Sequence, residues 1–598
     1  MIIRVADYIA DFLEKKGITD CFMVTGGGAM HLDDAIGHND GIHCIFNHHE
    51  QGCSVAAEGY ARLTGRMAAV CVTSGPGGTN AITGVMGAWV DSIPMFVLSG
   101  QVKRETTTWS CSELNLRQLG DQEFDIVGSV SNMTKYAVMV TDPLSIAYHL
   151  EKALHLANEG RKGPVWLDIP LDVQGAKVDT DELVHFDAQS ERPHEVRRFT
   201  SAQAQAVADR IAKAKSPLFL VGTGVRLGGA YEAFQQLEKK YGIPVVTAWN
   251  ANDVCNADDP YYVGMPGTVG IRSGNFAVQN CDLLISIGCR LNIRMIGYNH
   301  FDFAKNAFKI IVDIDPRELY KPTVQADMPI NADSLDFILR MTEAEYQPVP
   351  EHKKWLDWCR DLLHRYPAAC PEYREGQGGE INPYIFIDRL FDKLLPDDRI
   401  VCSNGSACVI TFQAAKLKKG QRMFTNSGCA AMGYGLPAAI GAAVGQNNRV
   451  ICIEGDGSIM MNIQELATVA YNKLNIKIFI LNNNGYHSIR QTQRNLFTPP
   501  FIGIDGDSGI CFPDFGLIAK AFGIDFYRIT TADKCTQMLE NVLSSAGACI
   551  CEVIVDPEQN FAPKSSSKVL PDGRIVSPSL DDMAPFLPRE EFDRIHFE

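Results

Sequence analysis

The stretch RVICIEGDGSIMMNIQELATVAYNKLNIKIFILNNNGYHSIRQTQ, Arg449 to Gln493, decides how the chain folds. An apolar, β-branched run beginning at Val450 stops at Gly455-Asp456-Gly457. Helical spacing follows in NIQELATVAYNKL, and a second apolar run, IKIFIL, stops at Asn482-Asn483-Asn484-Gly485. Strand, helix and strand in that order make a βαβ unit with neighbouring parallel strands. Open α/β sheets bind ligands outside the carboxyl ends of their strands, and both polar motifs sit at such ends. Asp456 offers a carboxylate and Asn483 an amide carbonyl, hard oxygen ligands that suit Mg²⁺. Gly455 and Gly457 let the backbone approach a phosphate, and a helix starting near Ser458 aims free N–H groups at it. Either motif alone reads as a turn. Together they read as a diphosphate site bridged by a metal.

The same alternation runs through the chain. Strand candidates MAAVCVTSG, MFVLSG, GPVWLDIP, PLFLVGTG, DLLISIG, FKIIVDID, RVICIEG, IKIFILN and CICEVIVD lie between helical stretches, the pattern of parallel α/β sheets. With 598 residues the chain is long for one core. Polar breaks near residues 175–200 and 340–355 divide it. The expected units are an N-terminal domain over 1–175, a central nucleotide-binding-like domain over 200–340, a C-terminal domain over 380–557 and a tail over 558–598. The start MIIRVADYIADFLEKKG reads as a charged amphipathic helix and not as a secretory signal. The segments ADYIADFLEKKGITDCFMVTGGGAM and IFIDRLFDKLLPDDRIVCSNGSACV repeat one order of helix, turn, strand and glycine-containing loop, an echo of two related folds around a different middle.

Composition narrows the function classes. Hydrophobic residues make up 46% and charged residues 21%, as in ordinary globular proteins. A net charge of −16 argues against nucleic-acid or anionic-membrane binding. No apolar run reaches the roughly 18 residues of a membrane span. The 18 cysteines are scattered without paired CxxC spacing, which reads as reduced thiols in a cytoplasmic protein rather than as a zinc site.

The order GDG, helix, strand, NN resembles the signature of thiamine diphosphate-dependent enzymes. The resemblance implies an α/β fold of three doubly wound parallel-sheet domains, binding the pyrimidine and pyrophosphate ends of the cofactor in the first and last. It implies that Asp456, the Asn483 side chain and the Gly485 carbonyl hold Mg²⁺, and that Gly455, Gly457, Ser458, Ser406 and Tyr486 lie against the cofactor. CIFNHHEQGCSVAAEGYARLTG matches the segment whose glutamate hydrogen-bonds the aminopyrimidine ring, and so assigns that role to Glu50. An isolated glutamate there would simply favour a helix dipole, but the match continues for about 15 residues beyond it. TSGPGGTN, with Pro76 and Asn80, resembles the pyrimidine-side loop. NSGCAAMGYGLPAAIGA resembles the loop whose methionine, here Met432, bends the cofactor. Gly28, His31 and Gln122 are assigned with Glu50 to catalysis in the substrate pocket.

Within that family, GRKGPVWLDIPLDVQ, GQV and DQEFDIV resemble acetolactate synthases and their relatives. The implied activity is decarboxylation of a 2-keto acid, pyruvate above all, and transfer of the acyl carbanion to a carbonyl acceptor. Acetolactate synthase proper and a simple 2-keto acid decarboxylase or lyase are the alternatives. The implied assembly is a homodimer or tetramer with active sites between subunits. LFLVGTGVRLGG and LLISIGCRLNIRMIG resemble a flavin-binding middle domain. The resemblance leaves FAD open, with Arg290 suited to the flavin, a substrate carboxylate or a loop contact. The departures matter. Leu171 stands where acetolactate synthases carry lysine, Thr492 where they carry tryptophan, and VTGGGAMHLDDA replaces a proline-containing loop. Losing an aromatic wall and a charge implies a bulkier acceptor, and NNNGYHSIRQTQ with the C-terminal tail, read as a candidate active-site lid, resembles relatives acting on sugar-linked ketones.

Overall fold

Each apolar run named above forms a strand, because a parallel strand buried on both faces needs a short, continuous β-branched stretch. The computed structural model describes residues 1–191, 198–370, 372–373, 380–566, 568–569, 572 and 574–597. Three sheets of six strands each, parallel throughout, organise the chain. The first holds Asp20–Met23, His43–Phe46, Ala69–Val72, Phe96–Gln101, Tyr136–Met139 and Val165–Pro170. The third holds Arg399–Cys402, Arg422–Phe424, Val450–Gly455, Ile476–Asn482, Asp525–Ile529 and Cys549–Ile554. With strands counted along the chain within each sheet, both have the spatial order 2-1-3-4-6-5. The sheet between them, from Pro217–Val221 to Met328–Asn331, has the order 3-2-1-4-5-6, that of dinucleotide-binding folds. The internal echo is therefore a shared topology around a different middle.

Local differences from the sequence reading have simple causes. Ile2–Arg4 is a strand, paired antiparallel with Lys177–Asp179, and the first helix starts only at Val5. The polar break expected near 175–200 thus begins with a strand, and residues 192–197 of it lie outside the described residues. The break near 340–355 ends one helix, Ser334–Glu343, and starts another, Pro350–Arg365. Proline at its first position needs no N–H partner, and Trp355, Cys359 and Leu362 form its buried stripe. The tail crosses the middle domain: Leu580 is buried there, Arg272 donates to the carbonyl of Met583 at 3.2 Å, and Phe597 packs on Trp355. No helix among the described residues is long and apolar enough to cross a membrane.

One helix pair sets the relation of the outer domains. Helix Glu50–Thr64 lies against helix Gly435–Gly445 so closely that glycines are required at the contact. A Cβ on Gly441 would fall 1.9 Å from the Ala56 carbonyl oxygen, and one on Gly59 would fall 2.5 Å from that of Ala438. Beside it, the Tyr434 hydroxyl donates to Glu58 at 2.7 Å, and buried Arg62 pairs with Glu58 and Asp91. Gly441→Val is expected to destabilise the protein by about 1–3 kcal/mol through overpacking, measurable by denaturant unfolding. In the middle domain, Glu238, Cys255 and Asp259 form a buried group. Burial, reinforced by Asp259, pushes the Glu238 carboxyl up to about 8. A carboxyl raised by folding contributes stability at low pH that is lost as pH climbs from the ordinary glutamate range through about 8. Glu238→Gln is therefore expected to melt near wild type at pH 5 and above it at pH 9.

Candidate active site

Strands Val450–Gly455 and Ile476–Asn482 are hydrogen-bonded neighbours, with Gly455 opposite Leu481. Asp456 follows the first at 2% exposure; its Oδ1 accepts from the Gly457 N–H at 2.8 Å and its Oδ2 from the Gly485 N–H at 3.0 Å. Burial pushes its carboxyl up to about 6 despite those donors. Asn483 follows the second strand. Its Nδ2 reaches Ser406 Oγ at 3.5 Å, while its buried Oδ1 has no partner among the described residues. An orphaned carbonyl oxygen beside a buried carboxylate is what a hard cation would complete, so these residues fit Mg²⁺. Thiamine diphosphate fits the same edge, where nothing lies within 4 Å of a Cβ built on Gly455.

The turn is built around these groups. Asn484 takes φ +54° and Gly485 φ +149°, and a Cβ on Gly485 would collide with the Ile504 carbonyl oxygen at 2.0 Å. Arg490, which the sequence reading did not single out, donates to the carbonyls of Asn483 and Asn484 at 3.1 and 2.7 Å. It lies on the helix that follows the turn, five residues beyond Gly485. The Tyr486 ring covers Gly457, where a Cβ would fall 2.1 Å from it. Ser458 turns inward: its hydroxyl is 2.6 Å from that of Ser403 and accepts from the Gly433 N–H at 2.9 Å. Met432 is half-buried just before Gly433. Glu454, also missed, is buried with its carboxyl pushed up to about 7, and its Oε2 lacks a partner among the described residues.

Glu50 opens its helix after His49, whose side chain accepts from the Gln51 N–H and caps it. Its Oε2 accepts from Asn80 Nδ2 at 3.0 Å, and Asn80 lies on the helix that Pro76 begins. Glu465 of the C-terminal domain anchors the approach, accepting from Asn47 Nδ2 at 2.8 Å and from the His48 N–H at 3.0 Å. Gly28 and Gln122 line one open cavity at the carboxyl edge of the first sheet, together with Ser74, Lys103, Asp121 and Leu171. Lys103 was missed, since a lone exposed lysine carries no pattern. His31 does not line that cavity; its ring packs over Gly175, where a Cβ would fall 2.9 Å from its Nε2.

A separate cavity of about 730 Å³ opens at the carboxyl ends of the middle strands. Gly222 and Gly288 allow two strand-end loops to touch, since a Cβ on Gly222 would lie 2.1 Å from the Gly288 carbonyl oxygen. Burial pushes Asp313, at the end of strand Phe308–Asp313, up to about 6. Arg290 lines the cavity 3.8 Å from Asp91, and Arg294 lies over the Trp249 ring.

Two strand ends bearing oxygen side chains in one outer domain and a helix opened by a glutamate in the other define a protein class. Residues 3–128, 204–341 and 403–553 match, respectively, the N-terminal TPP binding, central and C-terminal TPP binding domains of thiamine pyrophosphate enzymes. The chain is 32% identical over 581 residues to the acetolactate synthase isozyme 2 large subunit of Escherichia coli (strain K12), covering 97% of this chain and 100% of that one. It is 33% identical to the acetolactate synthase large subunits of Parasynechococcus marenigrum, with 93% of this chain and 88% of that one covered, and of Corynebacterium glutamicum, with 88% and 83%. The chain belongs to the thiamine pyrophosphate enzyme family and is an acetolactate synthase-like enzyme of it.

Asn483→Leu removes an oxygen that no group among the described residues uses, together with only the long 3.5 Å amide contact to Ser406. It is expected to leave the thermal midpoint of the cofactor-free protein close to wild type. Mg²⁺-dependent thiamine diphosphate binding, followed by calorimetry, should weaken about 10–100-fold, the scale of one bond to a charged group.

Proposed function

We propose that this enzyme is a Mg²⁺-dependent carboligase that decarboxylates a 2-keto acid, with pyruvate as donor, and passes the acyl unit to a carbonyl acceptor. The observation that carries the reading is the orphaned Asn483 Oδ1 beside buried Asp456, on a chain whose other outer domain presents Glu50 and Asn80. Bound thiamine diphosphate would supply the electron sink that lets a 2-keto acid lose CO₂ and react as an acyl anion equivalent. Asp456, Asn483 and the Gly485 carbonyl would hold the metal. Glu50 would exchange a proton with a ring nitrogen, its carboxylate oriented by Asn80. Gly28 and Gln122 would line the acceptor side, and Met432 would shape the floor.

Several features support the finer points. Trp109, Leu114 and Leu116 are large apolar side chains 56%, 61% and 43% exposed on one loop of the first domain. Such a surface suits a second copy of the chain, so that Glu50 of one subunit and Asp456 of another serve one site. The middle cavity, its touching glycine loops and strand-end Asp313 support FAD as a further bound group. The C-terminal tail begins as a strap over helix His487–Leu496, with Lys564 donating to Gln491 at 3.1 Å, which supports a covering role. The predominantly buried free cysteines support a reducing, cytoplasmic setting.

The acceptor is the open choice. Thr492 is exposed on that helix, its hydroxyl bonded back to the Ser488 carbonyl, which leaves space for a bulky ketone. A second reading, acetolactate synthase proper, is favoured by Lys103: it shares the cavity with Leu171 and returns a cation to it for the carboxylate of a second keto acid. Loaded enzyme given pyruvate alone and then with a panel of ketones, products read by mass, tests both. The first reading expects poor homocoupling, better transfer to bulky ketones, and Thr492→Trp shifting preference back to pyruvate. A rate of acetolactate formation that no ketone improves on selects the second. In either case Glu50→Gln is expected to slow turnover by about 10²–10⁴-fold, and a near-normal rate would remove Glu50 from the mechanism.

A further inference from the structure

The loop from Lys103 to Gln122 forms most of one wall of the cavity that holds Gly28, and a single carboxylate holds it together. Glu123, 6% exposed, accepts from the backbone N–H groups of Thr108, of Leu119 at 2.7 Å and of Gly120 at 3.2 Å. Among the described residues it pairs with no cation. Its own carbonyl accepts from Gln118 Nε2 at 3.0 Å. The residue beside it is strained. Gln122 has φ +60°, a left-handed backbone that residues with a Cβ avoid. The Gln122 carbonyl is pressed against Gly75, where a Cβ would fall 2.5 Å from it, and Gly75 caps the helix that carries Asn80. On the far side Gln101 donates to the Phe124 carbonyl and to buried Asp168, both at 3.0 Å. Strain of this kind persists where the surroundings over-determine it, and it concentrates at functional sites.

We infer that Glu123 is a positioning residue: its carboxylate clasps the loop so that Gln122 stays left-handed, with its side chain in the acceptor pocket. The inference rests on the reading of that cavity as the acceptor side. A carboxylate suits the task because it only accepts, and three N–H groups converge on it. Glutamine would offer one oxygen and set an NH₂ group against a backbone donor. Without the clasp, the strained backbone relaxes and the Gln122 side chain leaves the wall.

A double-mutant cycle tests this in cofactor-loaded protein, with CO₂ release from pyruvate and product formation measured separately. E123Q is expected to raise the acceptor KM about tenfold while CO₂ release stays within about twofold of wild type. Q122A should reproduce that KM effect, and the double variant should be no worse than Q122A alone, because Glu123 acts through Gln122. Additive effects, or CO₂ release by E123Q falling in step with its ligation, overturn the inference. If E123Q does not fold, E123D keeps the charge one carbon short and is expected to raise the acceptor KM alone; an unchanged KM overturns the clasp. A wild type that releases CO₂ without ligating any acceptor overturns the functional reading and the inference with it, whereas ligation with additive variants overturns the clasp only.

Discussion

The parallel pairing of Val450–Gly455 with Ile476–Asn482 is the constraint on which the site depends. Parallel neighbours point their carboxyl ends the same way, so residues that follow them must emerge side by side at one edge. Register does the rest. With Gly455 opposite Leu481, Asp456 and Asn483 leave the sheet within one residue of each other, and the Gly485 N–H folds back onto Asp456. A buried carboxylate and an unbonded amide oxygen are costly in a protein interior. The turn tolerates them because Arg490 fixes the carbonyls around them, leaving Asn483 Oδ1 without a partner among the described residues.

This part was legible in the sequence because it is local. A β-branched run that halts at glycine and an oxygen-bearing side chain states both where a strand ends and what it presents there. The short outer strands were harder to read. His43–Phe46 and Tyr136–Met139 have four residues each and are only partly buried, so their apolar pattern is weak and neighbouring strands decide their fate. Residues whose partners are far away in sequence could not be read at all. Glu465 meets Asn47 and His48 across more than four hundred residues. The role of Glu123 is visible only once three N–H groups converge on it.

The middle sheet shows the same limit from the other side. Its strand order is that of a dinucleotide-binding fold, and its glycines let strand-end loops touch, features that motif spacing alone left indistinct. Gly222, Gly224 and Gly288 are needed where backbones meet, with Cβ positions at 2.1–2.7 Å from backbone atoms. A glycine-rich string in sequence therefore reports loop-to-loop packing here.

The shared order of the outer sheets has a consequence for redundancy. An architecture present twice in one chain would ordinarily offer a spare. Here the third strand of the first sheet, Ala69–Val72, runs into the loop before Pro76 and Asn80, while the third strand of the last, Val450–Gly455, runs into Asp456. Equivalent slots have been given different duties, one leading to the Asn80 amide that meets Glu50, the other to a carboxylate. Neither can stand in for the other, so damage at either strand end goes uncompensated despite the duplicated frame.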